Sequence, residues 1–324
     1  MKMTRMRNLL VALAVLAFIV LLVLPSTGWV MRTQLRMLFS TFPEKALTLL
    51  LGIKPEILGL STLEGESIKA RAKQLLSQTV QRYPKDEKTQ IALCVLTEAY
   101  AVFSERLRDL LDRFPKSPLL HAAILRYDYI NRIRFDRKER YLLSESPLPK
   151  TFRQPDPKHL AAFEKVATNG ERIDPDNAFF PMMRAVALFA SHRDGEALKA
   201  LLQASKKQRW DDYVLDESEG VLRLWETTFG KAYGLTKICL LEMRLEPYPI
   251  RLKELAYVVA YKAMELERKG KFVEGLEIRS ALMRCAKLMR EQEKSKLPKL
   301  VAPAIAHIAT VRPKGESLPE PTEK

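Results

Sequence analysis

DPDNAFFPMMRAVALFASHRDGEALKALLQA, residues 174–204, is the stretch whose reading decides the fold. It opens on Asp174-Pro175. Proline lacks an N–H and restricts the residue before it, so one helix stops there and another starts just after. Two runs of apolar and small residues follow, with Ser191-His192-Arg193-Asp194 between them. No segment of the chain combines sustained alternation of β-branched residues with a tight Asn-Gly or Asp-Gly turn, so strands are not expected here or elsewhere.

The same grammar extends outward from this stretch. Ile68, Ala72, Leu75, Leu76, Thr79 and Val80 fall on one face of a 3.6-residue helix. Ile91–Phe103 and Leu119–Ile130 carry the same spacing. Tyr83-Pro84 and Phe114-Pro115 punctuate these runs as Asp174-Pro175 does, at intervals of 31 and then 60 residues. An all-α body follows. A period of 30 to 40 residues with two helices per unit marks a helical-repeat stack, in which each pair completes its apolar face against its neighbours. A non-repeating helical bundle is the alternative.

A second stretch, PYPIRLKELAYVVAYKAMELERKGKFVEGLEIRSAL at residues 247–282, is built like the first. Ala185, Leu188, Ala197, Leu201 and Ala204 in one, and Ala263, Leu266, Gly270, Gly275 and Leu282 in the other, take equivalent spacings. Lys269-Gly270-Lys271-Phe272 is the turn of the later stretch. A side chain no larger than Ala lets two antiparallel helices approach at the short end of the usual ~8–10 Å. Both stretches resemble the tetratricopeptide repeat, a family in which small residues sit where paired helices touch. The departures are Pro181 and Arg184, where the family prefers an aromatic and a leucine, and His192 in place of the turn glycine. The resemblance implies an α-solenoid of stacked antiparallel helix pairs that binds protein segments.

The N-terminus reads differently. Lys2, Arg5 and Arg7 precede an unbroken apolar run from Leu9 through Leu16 to Leu24. Sixteen residues give about 24 Å of helix, against a hydrocarbon core of roughly 30 Å. As a signal anchor, the helix continues to Met31, with Trp29 at the headgroup level and Arg32 and Arg36 beyond it. As a cleaved signal peptide, it ends at Pro25, and Ser26 and Gly28 are the small residues at the cut. Both readings carry the remaining chain across a bacterial cytoplasmic membrane. The first leaves it single-pass with its body extracytoplasmic, and the second secretes it.

The expected organisation is an anchor at 1–31, a membrane-proximal linker with a short helix at 32–66 and helical hairpins at 67–143. A Pro-rich loop at 144–158, repeat-like helices at 159–311 and a polar, Pro-rich tail at 312–324 follow. Of the net charge of +15, five positive charges and no negative ones lie in residues 1–36. The rest is spread thinly, with no basic stripe interleaved with aromatics, so a nucleic-acid partner is not expected.

Catalytic motifs are missing. Cys94, Cys239 and Cys285 are far apart in helical patterns, with no C-x-x-C; they read as small core residues, with one disulfide left open. His121, His159, His192 and His307 form no i, i+4 pair. No Walker loop or G-x-G-x-x-G occurs. Asp211, Asp212, Asp216, Glu217 and Glu219 form one acidic cluster, which reads as a helix start because acids suit the positive end of the helix dipole. Tyr127, Tyr129 and Phe179-Phe180 read as packing. No cofactor, metal or small-molecule ligand is expected. The leading reading is a membrane-tethered helical-repeat scaffold that binds a protein partner and is not an enzyme. The alternative is an envelope enzyme or glycan-binding protein with a site assembled between helices.

Overall fold

The computed structural model describes residues 65–311, apart from 98–99, 132, 134–135, 145, 153, 233–236, 238–239, 242–247 and 293–295. The anchor residues Leu9, Leu16, Leu24 and Trp29, the linker up to residue 64, Cys239 and the tail at 312–324 lie outside the described residues. Among those that are described, the chain is all-helical. Twelve helices and no strand occur, and one isolated parallel bridge joins Asn177 to Arg209. None of these helices is long and apolar enough to cross a membrane.

The helices are α1 (Gly65–Gln81), α2 (Glu87–Thr97), α3 (Tyr100–Asp109), α4 (Pro118–Asn131), α5 (Lys138–Ser144) and α6 (Pro157–Ile173). Then come α7 (Phe179–Ala190), α8 (Asp194–Ala204), α9 (Val214–Phe229), α10 (Tyr248–Arg268), α11 (Phe272–Gln292) and α12 (Lys296–Thr310). Pro84, Pro115 and Pro175 all fall between helices. Asp156 caps α6 through its carboxylate, which accepts the Lys158 N–H at 2.9 Å, and Pro157 takes the first helical position, where no N–H is needed.

Two compact units divide the chain. Among the described residues, one includes 65–78 and 225–241, and the other 79–224 and 248–311. In the described part of the first, the Trp225 and Phe229 rings lie 4.7 Å apart, and Glu226 accepts the Ala232 N–H at 3.1 Å. The second holds the main core. Within it α3 packs on α4, α4 on α6, α6 on α7, α7 on α8, α8 on α11, and α11 on both α10 and α12. α10 also returns onto α4 and α5. The Pro-rich loop between α5 and α6 therefore joins helices of one unit.

α7 lies at the centre. FFPMMRAVALFA is apolar all round, and every residue of it except Arg184 is buried. Pro181 is tolerated because it stands in the first turn, where N–H groups have no intrahelical partner. Arg184 leans outward to Glu171 at 3.2 Å and donates to Gln203. Gly170 of α6 makes room for α7: a Cβ there would sit 2.2 Å from the Phe180 ring. Phe179 then meets Phe180, Trp210 and Tyr248 edge-on, at ring separations of 5.5, 5.9 and 5.9 Å. Edge-to-face contact of this kind is one of the arrangements that aromatic rings prefer.

Candidate functional site

Two hairpins, α7–α8 and α10–α11, share one construction at a constant spacing of 78 residues, Leu188 to Leu266 and His192 to Gly270. At the first turn the N–H of Arg193 donates to Leu188 O at 2.9 Å and that of His192 to Phe189 O at 3.1 Å. At the second, Lys271 donates to Leu266 O at 2.9 Å and Gly270 to Glu267 O at 3.0 Å. Such paired bonds close a helix when the residue after its end turns left-handed. His192 and Gly270 do so, with φ of 59° and 77°. The next helix starts alike in both: Ala197 N–H donates to Arg193 O and Gly275 N–H to Lys271 O, both at 3.0 Å. Even the exposed ion pair recurs, Arg193 with Glu196 at 2.8 Å and Lys271 with Glu274 at 3.1 Å.

Ala185, Leu188, Ala197, Leu201, Ala204 and Ala263 are buried in a single apolar core, and Leu266 packs half-buried against it. Gly275 is buried too, and a Cβ on it would lie 2.9 Å from Ala263 O and 2.6 Å from the Glu267 side chain. Backbone approaches side chain so closely there that only glycine fits. Gly270 is corrected: it is exposed, nothing lies within 4 Å of where its Cβ would be, and it packs against no helix. Its role is conformational, because glycine meets no Cβ penalty at positive φ.

The sequence did not point to the buried charges. Arg126, fully buried on α4, donates to the Asp212 carbonyl and to Glu217. Tyr127 donates to the other Glu217 oxygen at 2.9 Å, and Tyr248 donates to the Asp212 carboxylate. The acidic cluster does start α9, since Asp212 accepts the Val214 N–H at 3.0 Å and Asp216 and Glu217 stand in the first turn. Two of its members also hold α4, the α8–α9 loop and α10 together. Burial raises the Asp212 carboxyl above its ordinary value, against the pull of Arg126 and the Tyr248 hydroxyl. A clue lay in α4 itself, where Arg126 and Asp128 interrupt a helix buried along Leu119–Tyr129. A charge in such a setting demands a partner.

The α8–α9 loop is pinned from the other side by Asn177. Its carboxamide donates to Asp174 at 2.9 Å and Asp211 O at 2.8 Å, and accepts from Phe179 N–H and Asp211 N–H at 3.1 and 3.0 Å. Tyr213 bears the cost with a φ of 61°, held by its N–H on Asp211 at 2.8 Å and its hydroxyl on Asp174 at 2.7 Å.

A further set gathers where α5, α8 and α10 meet. Arg137 bonds to Asp194 at 2.5 Å, to Glu139, and to the Phe189 carbonyl at 3.0 Å, while Lys262 reaches Asp194 at 3.1 Å and Glu139 at 3.3 Å. Burial alone would raise the Asp194 carboxyl, but Arg137 and Lys262 outweigh it and hold it below its usual range.

The chemistry-bearing residues of the sequence remain apart. Cys94 and Cys285 are free thiols, and burial pushes Cys285 up to about 12. His121 is buried with Nδ1 2.8 Å from Ser117 O, and burial lowers it. His192 and His307 are exposed on a turn and on α12, and His159 lies 3.7 Å from Asp156. Among the described residues no three His, Cys, Asp or Glu side chains are placed to hold a metal ion. Known protein families, curated proteins and solved structures offer no match to the chain.

Proposed function

We propose that this chain is a membrane-tethered scaffold of tetratricopeptide-like helix pairs, holding a protein partner on the extracytoplasmic side of a bacterial membrane. The observation that carries the reading is the repetition of one hairpin at a spacing of 78 residues, with the same turn bonds, left-handed residue and flanking ion pair. Helix pairs that recur in this way complete one another's apolar faces and leave their outer faces for recognition. The tether rests on the basic residues before Leu9–Leu24 and on the length of that run.

The test has two arms. A reporter active only outside the cytoplasm, fused after Lys324, is expected to be active, and a carbonate wash is expected to leave the chain in the membrane pellet. Crosslinking in the native membrane is expected to recover one protein reproducibly, and to lose it when Ala197→Phe loosens the α7–α8 hairpin. A signal confined to the cytoplasm refutes the envelope placement. A chain that crosslinks to nothing refutes the scaffold.

A further inference from the structure

Of the eight large apolar side chains that stand exposed among the described residues, three lie on α11. Val273 is 81% exposed, Leu276 51% and Met283 40%. They share one face of the helix. Val273, Leu276, Ser280, Met283 and Lys287 follow one another at steps of 3, 4, 3 and 4, the seam spacing of two helices that pack along their length. The opposite face of α11 is used already, since Gly275, Ile278, Ala281, Leu282, Cys285 and Met289 are buried. Ser280, half-buried at the middle of the outward seam, is small enough to admit a second helix closely.

Opposite charges stand beside the middle of this seam, and Glu291 follows them near the end of the helix. Glu277 flanks its N-terminal half and Arg284 its C-terminal half, both exposed, with Glu274 in the first turn of the helix and Arg290 in the last. That order suits the dipole of α11 itself. It also makes the face complementary to its own antiparallel copy. Two such helices crossing near Ser280 bring Glu277 of each opposite Arg284 of the other, since each follows a seam residue, Leu276 and Met283, by one position. A two-fold interface has this property, one patch meeting itself so that residue i contacts j and j contacts i. A parallel pair would set acid against acid and base against base.

We propose that the outward face of α11 is a homodimer interface, occupied by α11 of a second copy of this chain running antiparallel. The inference is independent of the membrane tether and of the partner of the scaffold.

The experiment uses the full chain in detergent micelles, followed by sedimentation velocity over a range of concentrations and by oxidative crosslinking. Wild type is expected to dimerise. Ser280→Cys is expected to form a covalent dimer under oxidation that wild type, with its native cysteines, does not form. Leu276→Lys with Met283→Lys is expected to weaken the dimer about a hundredfold, because like charges then line the seam. These positions are exposed, so the fold is expected to survive, as circular dichroism can verify. The direction of the pair is read by charge exchange. Glu277→Lys or Arg284→Glu alone weakens association, and the two together in one chain restore it. A wild-type chain that stays monomeric overturns the proposal. So does a dimer that neither crosslinks through Ser280→Cys nor responds to the lysine pair, and so does a charge exchange that fails to restore what its single changes lose.

Discussion

The hairpins α7–α8 and α10–α11 are alike in their turns and unlike in what they bury between their helices. In the first, Phe189 and Leu201 are fully buried apolar residues. At the corresponding positions of the second, 78 residues on, stand Glu267 and Arg279. They form a buried ion pair, with Arg279 Nε 2.6 Å from one Glu267 oxygen and a second bond of 3.1 Å to the other. Arg279 also donates to the carbonyls of Ala309 at 2.7 Å and Val311 at 3.1 Å. The difference has a physical cause. The second hairpin must hold the end of α12, whose last carbonyls have no partner within their own helix, and an apolar side chain cannot satisfy them. One turn geometry thus serves a core that closes on itself and a core that clamps another helix.

The sharpest way to break this comparison is to remove the clamp. Arg279→Met leaves the Glu267 carboxylate buried without its partner, and such a loss typically costs about 3–5 kcal/mol. Urea denaturation is expected to show a fall of that order. Replacing both members with leucine, which brings the second hairpin closer to the first, is expected to recover most of it, because an apolar pair of similar volume is often neutral. The Ala309 and Val311 carbonyls remain unserved in the double variant, so fraying of the α12 end should persist in hydrogen exchange. A cost below about 1 kcal/mol for Arg279→Met would mean that water screens the pair as it does at a surface.

The next test concerns how closely each pair of helices approaches. The first hairpin carries Ala197 where the second carries Gly275. Gly275→Ala forces a Cβ to within 2.6 Å of the Glu267 side chain and 2.9 Å of Ala263 O. Overpacking of this kind costs about 1–3 kcal/mol. Ala197→Phe, at a fully buried position, is expected to cost as much. Its effect should be local, with hydrogen exchange faster around residues 177–205 than around residues 67–103. Equal protection in both regions after Ala197→Phe would mean that the side chain is accommodated, and that Ala197 does not separate α7 from α8.

What the sequence made legible was what depends on near neighbours. The helices follow from 3.6-residue spacing, their ends from Pro84, Pro115 and Pro175, and the small residues of both hairpins from steps of three and four. The cross-braces escaped because their partners are far apart along the chain. Arg126 and Glu217 are 91 residues distant, and Tyr129 donates to Arg251 O at 2.9 Å across 122. No local pattern encodes such a pairing. The same holds for the return of α10 onto α4 and α5, which closes part of what periodicity alone reads as a one-way stack. The acidic cluster was legible only by half. Its helix-starting role is local, while the burial of Asp212 and Glu217 depends on Arg126 and Tyr248 arriving from elsewhere.

The smallest expected effect bears on the likeness itself, the left-handed residue of each turn. A side chain in that conformation costs roughly 1–2 kcal/mol relative to the right-handed one, and glycine escapes the cost. Glycine is also freer in the unfolded chain, which takes back about 0.4–1 kcal/mol. Gly270→Ala is therefore expected to destabilise by about 1 kcal/mol, and His192→Gly to stabilise by a few tenths to about 1 kcal/mol. The His192 side chain is exposed, so its removal sacrifices little packing. The two changes should move the urea midpoint in opposite directions with an unchanged slope, since neither alters the surface exposed on unfolding. If His192→Gly destabilised instead, the imidazole would be contributing something its turn geometry does not require, and the equivalence of the two hairpins would stop at the backbone.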